Sequence, residues 1–224
     1  PRAGEGPTIT RTDGVYACAG LTRAHATTLR SANGAAATTL QNPAGSIARV
    51  LAVTHSQAAI EGFTVSGGNP GENGGAVHMS GGTVRGCTFT GNNAGNYSGG
   101  AVYLLGGLMR DCVVTGNLAT AGGGLALAGP CLVTNCLIIG NYNAHGGGGV
   151  ILSSAGAVLS HCLIRLNTNY YYGGGGGISI SAGRVENCLI ADNCTTYSSP
   201  NAYGGGVNQS GGTFIHCTIV SNRS

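Results

Sequence analysis

With 42% hydrophobic residues, this chain of 224 residues has enough apolar material for a continuous core, which excludes disorder driven by charge. Its basic residues are all arginine, the net charge is only +3 and no basic run gathers it, so the pattern of a nucleic-acid-binding surface is missing. No run of roughly eighteen apolar residues offers a membrane span, and 43 glycines, 8% charged residues and no tryptophan mark a biased composition that calls for a repeat.

The chain opens at Pro1 with neither a methionine nor a charged-then-apolar leader, as expected of a processed chain or part of a longer one. Residues 1–55 read as irregular coils. Within them Thr27 to Ala32 predicts a short strand leading into a turn at Asn33-Gly34. At Ile60-Glu61-Gly62-Phe63-Thr64-Val65 a pattern begins that the rest of the chain, 56–224, repeats as one continuous domain.

The repeat is set by cysteine. Cys87, Cys112, Cys136, Cys162, Cys188 and Cys217 recur at intervals of 25, 24, 26, 26 and 29 residues. Two residues after each stands Phe89, Val114, Ile138, Ile164, Ile190 or Ile219, and three before it Val84, Met109, Val133, Leu159, Val185 or Phe214. Five residues after each is an asparagine: Asn92, Asn117, Asn141, Asn167, Asn193 and Asn222. The residue before each cysteine is Gly86, Asp111, Asn135, His161, Asn187 or His216, types that tolerate positive φ, so a left-handed bend is expected there between two short strands. A third strand follows each glycine run, as at Val77-His78-Met79 and Ile178-Ser179-Ile180.

Three strands and three turns make one coil. Coils whose equivalent residues coincide must stack in parallel and in register at about 4.8 Å, giving an all-β, right-handed parallel β-helix with cysteine and asparagine ladders. An α-solenoid of this period would need two helices per repeat, and the glycine clusters leave no room for them.

Gly-Gly-Ala-Val at 74–77 and 99–102, with Phe89-Thr90-Gly91-Asn92, resembles the paired repeat motifs of polymorphic outer-membrane protein passengers, which are autotransporter-like. More broadly the chain is similar to the pectin-lyase-like right-handed β-helix proteins of bacterial surface and secreted polypeptides. The resemblance covers 56–224 well and the first 55 residues loosely. Later copies keep only the asparagine of Phe-x-x-Asn, and no membrane barrel is present. It implies the fold and an extracellular or cell-surface place, and leaves open lyases, hydrolases, adhesins and plain rods.

The ladder thiols are expected to act as buried small hydrophobes, because in-register side chains point the same way and suit a disulfide poorly. Cys18, Cys131 and Cys194 lie off the column and are the better candidates for bridges or exposed thiols. No metal or other cofactor is expected: Cys131 to Cys136 lacks a partner pair at zinc spacing, and His161 and His216, two coils apart, cannot share an ion. His78 and His145 fall near glycine runs without an assigned role. No acid repeats in one column on adjacent coils, and Glu61, Arg85, Arg110 and Asp111 read as a surface ion-pair row, so no catalytic residue is named. Tyr97, Tyr142, Tyr170, Tyr171, Tyr172, Tyr197 and Tyr203 lie between the asparagine column and the next glycine run. They form a candidate contact strip for a glycan, a surface ligand or a neighbouring rod, or else each covers the edge of its own coil. Asn96, Asn193, Asn208 and Asn222 begin glycosylation sequons of a kind that chance produces in such a sequence.

Two functions follow as expectations. The first is a non-enzymatic extracellular structural or adhesive rod, stacking end to end through open β-helix ends after its last strand and asparagine turn. The second is a polysaccharide-binding or polysaccharide-degrading protein.

Overall fold

The computed structural model describes residues 6–171, 173–196 and 204–224. Its strands, each of two to four residues, run parallel and in register in four sheets. The first sheet has nine strands, from Thr8–Arg11 to Thr213–Ile215, and the second nine, from Gly14–Ala17 to Thr218–Val220. The third has eight, from Leu21–Arg23 to Val207–Gln209. Spaced about 4.8 Å apart, nine strands make a stack roughly 40 Å long. The first two coils already share these sheets: Thr28–Ser31 pairs with both Thr8–Arg11 and Ala59–Glu61.

The columns predicted from sequence are the pairing register. Val84 faces Ile60 and Met109, and Phe89 faces Val65 and Val114. These inward residues, with Met79, Leu104, Leu127 and Leu152 of the third sheet, are fully buried and form a core along the whole stack. At about 25 cal/mol per Å² of apolar surface, this continuous burial is the main stabilising contribution.

The bend before each cysteine is left-handed, with φ of 59° at Gly86, 56° at Asp111, 52° at Asn135, 51° at His161, 52° at Asn187 and 50° at His216. A second left-handed column, one residue before each ladder asparagine, was not expected: Gly91, Gly116, Gly140, Leu166, Asp192 and Ser221 have φ between 54° and 64°. The first three copies carry the signal, since glycine adopts that region without strain; Leu166 hides it.

Three strands per coil run through the stack, and part of it adds a fourth. From Leu118 onward a fourth strand of two residues follows the asparagine, building a sheet of Leu118–Ala119, Tyr142–Asn143, Thr168–Asn169 and Cys194–Thr195. Two residues are too short to show a period of two, which is why no alternation announced it.

In the glycine runs a side chain would meet the backbone of the neighbouring coil. A Cβ on Gly100 would lie 2.1 Å from the Gly123 oxygen, and one on Gly148 would lie 2.2 Å from that of Gly176. The last glycine of a run lies against the asparagine ladder: a Cβ on Gly177 would be 2.9 Å from the Asn193 carboxamide.

Candidate functional site

The asparagine column is a continuous hydrogen-bonded chain. Nδ2 of Asn92 donates to Oδ1 of Asn117, Asn117 to Asn141, Asn141 to Asn167, Asn167 to Asn193 and Asn193 to Asn222, all at 2.9–3.0 Å. Each Nδ2 also donates to a carbonyl of the preceding coil, as Asn117 does to Phe89 at 3.0 Å. The backbone N–H of Asn92, Asn117, Asn141, Asn167 and Asn193 donates to the next carboxamide oxygen. Gly68 starts the chain through its N–H, which donates to Oδ1 of Asn92. Buried amides that find partners in this way hold the coils at one register. Of the sequon asparagines, Asn193 is fully buried with both amide and carbonyl engaged, so this carboxamide is closed to modification in the folded chain.

The ladder thiols are free and share one orientation. Each Sγ donates to the carbonyl two residues earlier, at 3.1–3.4 Å. In Cys87, Cys112, Cys162, Cys188 and Cys217 it also approaches a carbonyl of the preceding coil at 3.5–3.9 Å. Cys87 to Cys188 are buried, and Cys217 is partly exposed. Contacts with the Cys136 and Cys87 thiols, together with burial, hold Cys112 well above the ordinary thiol range. Cys131, expected to be a bridging or exposed thiol, is instead a buried free thiol beginning the strand Cys131–Thr134, and desolvation pushes it up to about 12. Cys18 and Cys194 are free and half-buried.

Of the candidate contact strip, Tyr97, Tyr142, Tyr170 and Tyr171 lie among the described residues. Tyr142 and Tyr170, on successive coils, stack with ring centroids 5.9 Å apart and planes 16° apart, while Tyr171 meets His145 edge-on at 5.1 Å. Tyr97 is exposed, and among the described residues no ring pairing joins it to these. Tyr172, Tyr197 and Tyr203 lie outside the described residues. Tyr142 is in register with Thr168, so the stack joins it to a ring two residues further along the next coil and covers one face of each. A second aromatic contact, unremarked in the sequence, stacks His78 on Tyr103 at 5.6 Å across the outer face of the third sheet. Burial, with Arg49 nearby, holds the His78 imidazole below its ordinary range.

The ion-pair row is longer than the sequence suggested. In the column Arg30, Glu61, Arg85, Arg110, the Glu61 carboxylate lies between Arg30 at 2.6 Å and Arg85 at 2.7 Å, and Arg110 turns to Asp111 at 2.6 Å. Glu72, Glu186 and Asp192 are likewise paired with Arg49, Arg184 and Arg165, and Asp13 accepts from Asn33. Among the described residues no three metal-ligating side chains converge on a point, and no helix is long and apolar enough to cross a membrane.

The family model described as the right-handed β-helix region matches residues 49–224. The chain belongs to the right-handed β-helix family. This β-helix protein matches no curated protein and no solved structure. The family match therefore fixes the architecture, while the chemistry must be argued from the columns themselves.

Proposed function

We propose that this β-helix protein is a length of non-enzymatic extracellular rod, either a surface or adhesive segment or a subunit that stacks end to end. The observation that carries this reading is the state of the acids: the six described carboxylates are each engaged by an arginine or an asparagine on the same or a neighbouring coil. General acid–base work on a glycoside needs a pair of carboxyl groups facing the substrate, whereas these neutralise a surface that must stack. Placement outside the cell draws on the low charge and on the resemblance to surface passengers. Stacking draws on the strand pairing itself, in which each coil lies parallel and in register against the coil before it and the coil after it.

The rival reading is a polysaccharide-binding or polysaccharide-degrading protein. It draws on a groove of about 340 Å³ lined by Thr28, Gln57, Glu61, Thr83, Arg85 and Arg110. Incubation with neutral and acidic polysaccharides separates the two. The rod reading expects no release of reducing ends or unsaturated sugars, and sustained release that is lost in Glu61→Gln overturns it.

A further inference from the structure

The six ladder cysteines have no part in the rod reading beyond filling space, and their geometry is unusual. Because each Sγ makes the same bond to the carbonyl two residues earlier, the side chains repeat coil by coil, and neighbouring thiols in contact along the column are expected to lie about one coil spacing apart. That spacing is about 4.8 Å. It is far too long for a disulfide, whose sulfurs lie about 2.05 Å apart, and parallel side chains cannot close the gap without moving the backbone. It does match two metal–thiolate bonds of about 2.3 Å set in line. A tetrahedral ion needs four converging ligands and finds none here. Soft closed-shell ions that favour thiolate and accept two ligands in line need only what the ladder offers.

We propose that adjacent ladder cysteines form two-coordinate sites for a soft divalent d10 cation of the Hg(II) class, with the ion midway between two sulfurs on the stack axis. Each sulfur exchanges its S–H bond for a bond to the metal. With Hg(II), two protons leave for solvent and the bis-thiolate unit is neutral, the state that a buried apolar column accepts at least cost. One sulfur cannot bridge two ions in line with it without an unfavourably straight metal–sulfur–metal angle. The six thiols therefore pair as Cys87 with Cys112, Cys136 with Cys162, and Cys188 with Cys217, giving three sites. Loading starts at Cys188–Cys217, because Cys217 is the partly exposed member.

The test uses the full chain with Cys18, Cys131 and Cys194 changed to serine, so that only the ladder thiols remain. Titration with Hg(II) is followed by thiolate-to-metal absorption, proton release, melting temperature and X-ray absorption. The expected result is saturation at three ions per chain, two protons released per ion, two sulfur neighbours per ion and a raised melting temperature. Changing Cys188 and Cys217 to alanine as well lowers saturation to two ions. The proposal is overturned by three or four sulfur neighbours per ion, or by uptake that accompanies loss of the β circular-dichroism signal. It is equally overturned by a stoichiometry that ignores the Cys188/Cys217 change. Since the readouts are binding and melting, failure here leaves the rod reading intact.

Discussion

Asn141 receives the Asn117 amide on its Oδ1 at 2.9 Å, and the same oxygen accepts the Asn117 backbone N–H at 3.1 Å, so a single carboxamide ties side chain and main chain of the coil before it. Removing it strands several buried groups together. At about 1–3 kcal/mol per buried unsatisfied group, Asn141→Ala is expected to cost at least 3 kcal/mol, read as a lower urea midpoint. Asn222→Ala, at the partly exposed end of the ladder, is expected to cost clearly less.

The glycines separate two causes of strain. In Gly148 an added Cβ meets the Gly176 oxygen at 2.2 Å, whereas in Gly95 it meets nothing within 4 Å and only the φ of 62° resists. Gly95→Ala is therefore expected to cost about 1–2 kcal/mol, the penalty of a left-handed L-residue. Gly148→Ala should exceed that, with thermal melts giving the comparison. Equal losses would show that close coil approach contributes nothing.

Leu166 holds φ of 55° in a column where three earlier copies have glycine, and its side chain is half exposed. Leu166→Gly is expected to raise stability by about 0.5–1 kcal/mol despite the glycine's greater unfolded-state freedom, because the left-handed penalty disappears while little packing is lost. Chemical denaturation of the variant reads this directly.

His78 gives the stability a pH dependence of known sign. Burial disfavours its charged form, so its folded-state pKa lies below the unfolded value and the unfolded chain takes up the proton first. The contribution is complete above the unfolded value near 6.5 and is lost as pH falls toward the folded one. Melting temperature is expected to decline from pH 7 to 5 less steeply in His78→Gln than in the parent. Asp111 adds a loss at lower pH, since its bonds from Asn135 and Arg110 hold the carboxyl below its ordinary range.

Much of this architecture was legible because each coil repeats the same inward positions. The spacing from Cys87 to Cys217 fixed the register, and Gly86 to His216 fixed the first bend. The fourth sheet was not legible, since Leu118–Ala119 and its partners are too short to alternate. The glycine runs gave the place of the third strand but not their reason, which is the oxygen of the next coil. Of the contact strip, loop spacing could gather the tyrosines, yet it could not say that Tyr142 would lie on Tyr170. Ring orientation depends on which loop residues pair across coils. Cys131 was misjudged because its burial comes from the strand it begins beside Gly107, a pairing that cysteine spacing does not encode.

Accessibility of the thiols offers a further check. Cys87, Cys112, Cys131, Cys136, Cys162 and Cys188 are buried, whereas Cys18, Cys194 and Cys217 are half-buried. Reaction with a bulky disulfide reagent at pH 8 is expected to label at most the latter three while the chain is folded, and all nine in denaturant.

The most direct test of the rod account is negative-stain electron microscopy of the purified chain over a range of concentrations. The account predicts unbranched fibres one β-helix wide whose length grows with concentration, as coils stack on the strand Thr218–Val220. Particles that stay near the roughly 40 Å of a single stack at every concentration would contradict end-to-end stacking and leave only the surface-segment form of the rod.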